Sequence, residues 1–120
     1  HSMKSIGNGM NIDAGVARPD IILGDKDGTS ASAEFVDVIA QAFTSKGYKV
    51  VKNTPYKGGY LVSNYADVAQ NRHSVQIEIN RALYMNEQTF EKSDNYQTFK
   101  SDAAFVAKQL AAYVSAQIGQ

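Results

Sequence analysis

Glu78 stands between two isoleucines in the stretch HSVQIEINRALYM, His73 to Met85, and a carboxylate so placed can take up and return a proton if its surroundings make it a working group. The alternation through this stretch predicts a strand with Val75, Ile77 and Ile79 on one side and Gln76, Glu78 and Asn80 on the other. That second side is either solvated or functional; in the solvated case Glu78 pairs with a neighbouring Lys or Arg. Arg81, two residues beyond the last apolar position, carries a planar fork suited to gripping a carboxylate, or is an exposed cation at a strand end. Gly58 and Gly59 permit positive φ and close backbone approach, for a tight turn or for amides that face an anion. Asn53 and Tyr56 could add hydrogen bonds to the same pocket, although Asn ahead of a Pro-containing turn is ordinary turn chemistry. His1 can ligate a metal as a neutral imidazole, but a catalytic metal site needs about three protein ligands and an open position. A first-position histidine also fits a frayed terminus. His73 opens the strand on the side of Val75, which favours a structural or edge role. The acids of GDKDG, Gly24 to Gly28, lack the spacing of an EF-hand loop and read as a turn.

Composition narrows the chemistry. Lys plus Arg and Asp plus Glu balance at 12 each, without clustering of the basic residues, so there is no electrostatic footprint for nucleic acid. No apolar run approaches the roughly 18 residues of a membrane span. The absence of cysteine excludes a disulfide framework, a thiolate zinc site and a cysteine nucleophile together, leaving His, Asp and Glu as metal ligands. It fits a reducing cytoplasm and equally an unstapled periplasmic domain. With 120 residues, 43% hydrophobic and 20% charged, the chain suits one compact domain. It opens without Met or a secretory pattern and reads as a fragment.

The elements that must position these residues follow an α/β order. A buried strand over Asp20–Gly24 ends in the turn Asp25–Gly28. Phe35, Val38, Ile39, Ala42 and Phe43 recur at helical spacing over Ala33–Lys46, with Ser30 or Ser32 as N-cap and Gly47 just past the end. A second strand over Tyr48–Lys52 leads into the bent loop Asn53–Tyr60, and a third runs from Arg72 to Asn80. A last helix, Thr98–Gln117, carries Val106, Leu110, Tyr113 and Val114 as an apolar stripe that covers the sheet. Strand, helix and strand in tandem predict a right-handed crossover and parallel pairing. The expected architecture is an open, mixed, partly parallel sheet flanked by helices, with ligands beyond the carboxyl ends of strands, at Gly24–Gly28, Asn53–Tyr60 and Asn80–Asn86.

The stretches His1-Ser2-Met3, PDIILGDKDG (Pro19–Gly28), NTPYKGGY (Asn53–Tyr60) and HSVQIEINRALYM, in this order, resemble the N-formylglutamate amidohydrolase family through about Glu87. The final helix matches only in character. The resemblance implies a zinc-dependent hydrolase of N-acyl amino acids with a fold related to zinc carboxypeptidases and aspartoacylase-like enzymes. By that similarity His1 matches a zinc ligand in a His-Ser-Met motif that ends a strand, Glu78 matches the carboxylate that activates metal-bound water, and Arg81 is similar to an arginine that grips a substrate carboxylate. A His and a Glu from an earlier HxxE-type motif have no counterpart here, so the chain resembles the C-terminal portion of the enzyme and its fold is expected to be incomplete. A small N-acyl amino acid is the expected partner, a cytoplasmic setting the expected compartment, and self-association through exposed apolar surface a further expectation. The alternatives are another zinc amidohydrolase or deacylase, and a noncatalytic binding or scaffolding domain.

Overall fold

A computed structural model describes residues 1–119. Four strands form one mixed sheet in the order β1-β4-β2-β3, where β1 is Ser2–Met3, β2 is Ile21–Gly24, β3 is Val50–Lys52 and β4 is Gln76–Asn80. Every residue of β2 is buried, as its unbroken apolar run requires. β2 and β3 pair in parallel, with Ile22 opposite Val51, which bears out the crossover expected of strand, helix and strand. β4 runs antiparallel to β2, with Glu78 opposite Ile22, and parallel to β1, with Asn80 opposite Met3.

Helix α1, Ala33–Ser45, begins where Ser32 accepts a hydrogen bond from the Phe35 amide, and it buries Val36, Ile39, Ala42 and Phe43. Gly47, at φ 90°, supplies the left-handed residue that ends it. Helix α3, Tyr96–Ile118, starts earlier than the expected Thr98. It packs mainly against α1 rather than directly over the sheet. Within the expected stripe Val106 is buried and Val114 exposed, and Phe99, outside the stripe, supplies a second buried anchor. Ile21, Leu23, Val36, Ile39, Phe43, Phe99 and Val106 form one core between sheet and helices, with Ile77 and Ile79 packed against it.

Two strands are shorter than their sequence patterns. Tyr48 precedes β3 and instead donates its hydroxyl to Asp102 at 2.6 Å. Arg72 is held in a turn by mutual backbone hydrogen bonds with Asp67, so β4 starts at Gln76 rather than Arg72. A short helix α2, Tyr60–Tyr65, follows the paired glycines.

Candidate active site on the far face of the sheet

Because side chains alternate along a strand, the residues between the core-facing isoleucines point away from α1 and α3. On that far face Gln76, Glu78 and Asn80 lie beside Gly24 and Ile22. It is not solvated: Glu78 and Asn80 are each only 6% exposed, so the reading of Glu78 as a solvent-facing surface acid fails. What covers the face comes from far away in sequence. A Cβ on Gly24 would stand 2.6 Å from the Gly58 nitrogen and the Lys57 carbonyl carbon, so only glycine lets the Lys57–Gly58 backbone lie against β2. The Lys26 amide fastens that segment by donating to the Lys57 carbonyl at 2.8 Å.

Glu78 Oε1 lies 3.3 Å from His1 Nδ1 and accepts a hydrogen bond from Gln76 Nε2 at 2.9 Å. Burial pushes its carboxyl above the ordinary glutamate range, partly offset by the His1 ammonium, Arg18, the Gln76 hydrogen bond and Arg81. His1 reaches Glu78 because its carbonyl accepts from the Ile79 amide at 3.1 Å, which aligns the start of the chain with β4. Arg81 opens the single 3-10 turn Arg81–Leu83 that follows β4. Its Nε donates to Ser2 Oγ at 3.2 Å, and it borders a cavity of about 290 Å³ with Lys4, Ser5, Glu87 and Phe90.

The loop residues take different parts. Gly58 is left-handed, at φ 103°, and packs against Val62. Gly59 starts α2 and lies beside the Gln76 carboxamide. The Tyr56 ring sits under the Arg18 guanidinium, 5.1 Å away. Asn53 holds the loops together: its Oδ1 accepts from the Asp25 amide at 3.0 Å and its Nδ2 donates to Asp25 Oδ1 at 2.7 Å. Its carboxamide is therefore occupied by Asp25. The structure thus sets His1 against Glu78 at the middle of β4, with Arg81 just past the strand's end, and brings Gly59 of the glycine loop to Gln76.

Three polar residues of this region carried no role in the sequence reading. Gln76 and Asn80 were visible as members of the polar alternation. Asn80 Nδ2 donates to the carbonyls of Arg18 and Pro19 at 3.3 and 3.2 Å, and its Oδ1 accepts from the Ala82 amide at 3.0 Å. Arg18 gave no local signal; its buried side chain makes two hydrogen bonds to Asp13, at 2.6 and 3.0 Å. His73 lies elsewhere, stacked on Phe35 at 4.8 Å with Nδ1 accepting from the Ser32 amide at 3.2 Å. It lines a larger cavity, about 830 Å³, with Phe35, Tyr113 and the last turns of α3. None of the proposed site residues borders that cavity, so size does not mark the chemistry.

No group of three His, Cys, Asp or Glu side chains suited to a metal occurs among the described residues. His1 is the one expected metal ligand and has only the Glu78 carboxylate beside it, which is short of the three protein ligands of a catalytic zinc centre. The residues present do not fit the metal on their own.

The model of the N-formylglutamate amidohydrolase family matches residues 1–85, the portion that carries β1 to β4 and all of the site. The chain belongs to this family. It is 36% identical over 73 residues to the N-formylglutamate deformylases of Pseudomonas aeruginosa and Pseudomonas putida, an alignment covering 58% of this chain and 27% and 26% of theirs. A crystal structure of N-formylglutamate amidohydrolase from Ralstonia eutropha JMP134 superposes with a TM-score of 0.83 and 34% identity, over 100% of this chain and 44% of that one. The chain therefore spans about a quarter of the length of these curated relatives and under half of the solved one. No helix among the described residues is long and apolar enough to cross a membrane.

Proposed function

We propose that this family member forms part of an enzyme that hydrolyses the amide bond of N-formylglutamate, releasing formate and glutamate, with Glu78 as the proton-transfer group. The observation that carries the reading is the buried carboxylate of Glu78, held between His1 and Gln76 in a chain that matches N-formylglutamate deformylases. Water adds to the formyl carbon as Glu78 accepts its proton; the carbon–nitrogen bond then breaks as Glu78 returns that proton to the departing nitrogen. A carboxyl shifted upward by burial suits both halves, being a stronger base before the addition and a usable acid after it. Arg81, at the end of β4, is assigned to a carboxylate of the glutamate moiety through its guanidinium fork. Gly58, Gly59 and Tyr56 are assigned to the substrate-facing loop, Gly59 beside Gln76 and Tyr56 under Arg18, while Asn53 acts on substrate only by keeping that loop in place.

Zinc belongs to the proposal for the complete enzyme, as does a cytoplasmic setting. Since His1 is the one metal ligand expected among these residues and Glu78 is assigned to proton transfer, a chain of these residues alone binds zinc weakly and turns over little. The test is formate release from N-formylglutamate, N-acetylglutamate and a neutral N-formyl amide by an active assembly containing this chain. N-formylglutamate is expected to be hydrolysed fastest, and Arg81→Lys to slow it about tenfold, the scale of one impaired charge-assisted contact, with little effect on the neutral amide. Equal losses on both substrates would assign Arg81 a structural role, and release no faster than the uncatalysed rate from all three would overturn the function.

A further inference from the structure

We propose that Asn8–Gly9 is a modification site at which the folded protein deamidates spontaneously, through a cyclic imide, to aspartate and isoaspartate. Such ring closure needs an accessible side-chain carboxamide followed by a backbone nitrogen that is unhindered and free, which glycine provides best. Asn8 is the one asparagine of eight that precedes a glycine, and both residues are exposed. Gly9 turns at φ 61°. A Cβ placed on it would meet nothing within 4 Å, and among the described residues its amide has no hydrogen-bond acceptor. The Asn11 amide closes this turn by donating to the Asn8 carbonyl at 3.2 Å. The same turn lets Asn11 Nδ2 donate to Asn8 Oδ1 at 3.3 Å, where a donor stabilises the negative charge that attack at Cγ places on that oxygen.

In the first step the Gly9 nitrogen gives its proton to solvent base and bonds to Asn8 Cγ, while the Cγ–Nδ2 bond breaks and the side-chain nitrogen leaves as ammonia. Water then opens the ring. Addition at Cγ restores the ordinary peptide linkage with an aspartate at residue 8; addition at the main-chain carbonyl carbon leaves Gly9 joined through Cγ, an isoaspartate that lengthens the backbone by one carbon. Either product adds one negative charge to a chain whose 12 acidic and 12 basic side chains balance. Asp27–Gly28, also exposed, could close the same ring but is guarded. The Gly28 amide donates to Asp25 Oδ1 at 2.8 Å, so a carboxylate occupies its proton and opposes the anion that loss of the proton would create. Lys57 Nζ holds Asp27 Oδ2 at 2.7 Å. The free nucleophile lies at Gly9, and the site shares no residue with the surroundings of Glu78.

The experiment compares the protein with Asp27→Asn, which sets asparagine before glycine at both places, and with Asn8→Gln, whose longer side chain must close a less favourable, larger ring. Folded samples are held in mildly alkaline buffer, where the amide proton leaves more readily. Anion exchange follows the gain of charge, and fragmentation mass spectrometry separates aspartate from isoaspartate at each position. An acidic species carrying both products at residue 8 is expected to accumulate, and Asn8→Gln to lack it. In Asp27→Asn, conversion at residue 27 is expected to stay at least about tenfold slower than at Asn8, the factor that one hydrogen bond to a charged group puts on a barrier. An Asn8 that stays intact in the folded protein, or converts only once urea has unfolded it, would overturn the site. Equal rates at residues 8 and 27 in Asp27→Asn would overturn the free Gly9 amide as its cause.

Discussion

The two faces of the sheet are built from the same strands and solve burial differently. Toward the helices, Ile21, Leu23, Ile77 and Ile79 meet apolar side chains from α1 and α3, and contact itself is the stabilising interaction. On the far face, Glu78 and Asn80 are buried as deeply as core residues, but each depends on specific hydrogen-bond partners. Apolar packing tolerates small rearrangements, whereas a buried polar group left without a partner costs about 1–3 kcal/mol. The helix side thus rests on apolar packing, and the far side on polar groups whose burial depends on particular partners.

The sharpest way to separate the faces is a pair of truncations at neighbouring, fully buried positions. Leu23→Ala on the helix side and Ile22→Ala on the far side should each cost about 2–5 kcal/mol in urea unfolding. Only Ile22→Ala should also slow formate release per folded molecule, because Ile22 lies opposite Glu78. Equal kinetic effects would dissolve the distinction. Next in size is Asn53→Ala, which leaves the Asp25 amide and carboxylate without their Asn53 partners; its expected cost is about 1–3 kcal/mol, read as a lower urea midpoint. An unchanged midpoint would remove Asn53 from the loop scaffold.

The smallest effect belongs to the helix side. Burial, reinforced by the hydrogen bond to Asp102, raises the Tyr48 phenol above its ordinary value. For a group raised in the folded state, the stabilising contribution is complete below the unfolded value, about 10 for tyrosine, and is lost as pH climbs beyond it. Thermal stability should therefore fall more steeply above pH ~10 than in Tyr48→Phe. Parallel curves for the two proteins would refute the assignment.

The helix side was legible in the sequence because local patterns dictate it. The apolar run of β2, the helical spacing and Ser32 cap of α1, and the strand-helix-strand order led directly to the parallel β2–β3 pair. The alternation through β4 also divided its side chains between the correct faces. What it could not convey was the environment of the far face, because its cover comes from Arg18, Pro19 and the Lys57–Gly58 backbone. Nothing at residue 78 encodes those long-range contacts. β1, two residues long, is too short for any periodicity, and α2 starts at Gly59 without a side-chain cap to announce it. Strand ends failed for a similar reason: the Asp67–Arg72 turn competes with extension of β4.

The central claim is that Glu78 is buried for function at some expense to stability, and Glu78→Gln tests it most directly in an active assembly containing this chain. Because burial raises the carboxyl, its stabilising contribution is present at low pH and lost as pH rises through the raised value. A neutral glutamine escapes that loss. Formate release and urea unfolding, measured at pH 7 on the same preparations, should show turnover reduced about 10²–10⁴-fold with stability equal to or above that of the parent. Near-normal turnover, or a loss of stability large enough to account for the loss of activity, would contradict the account.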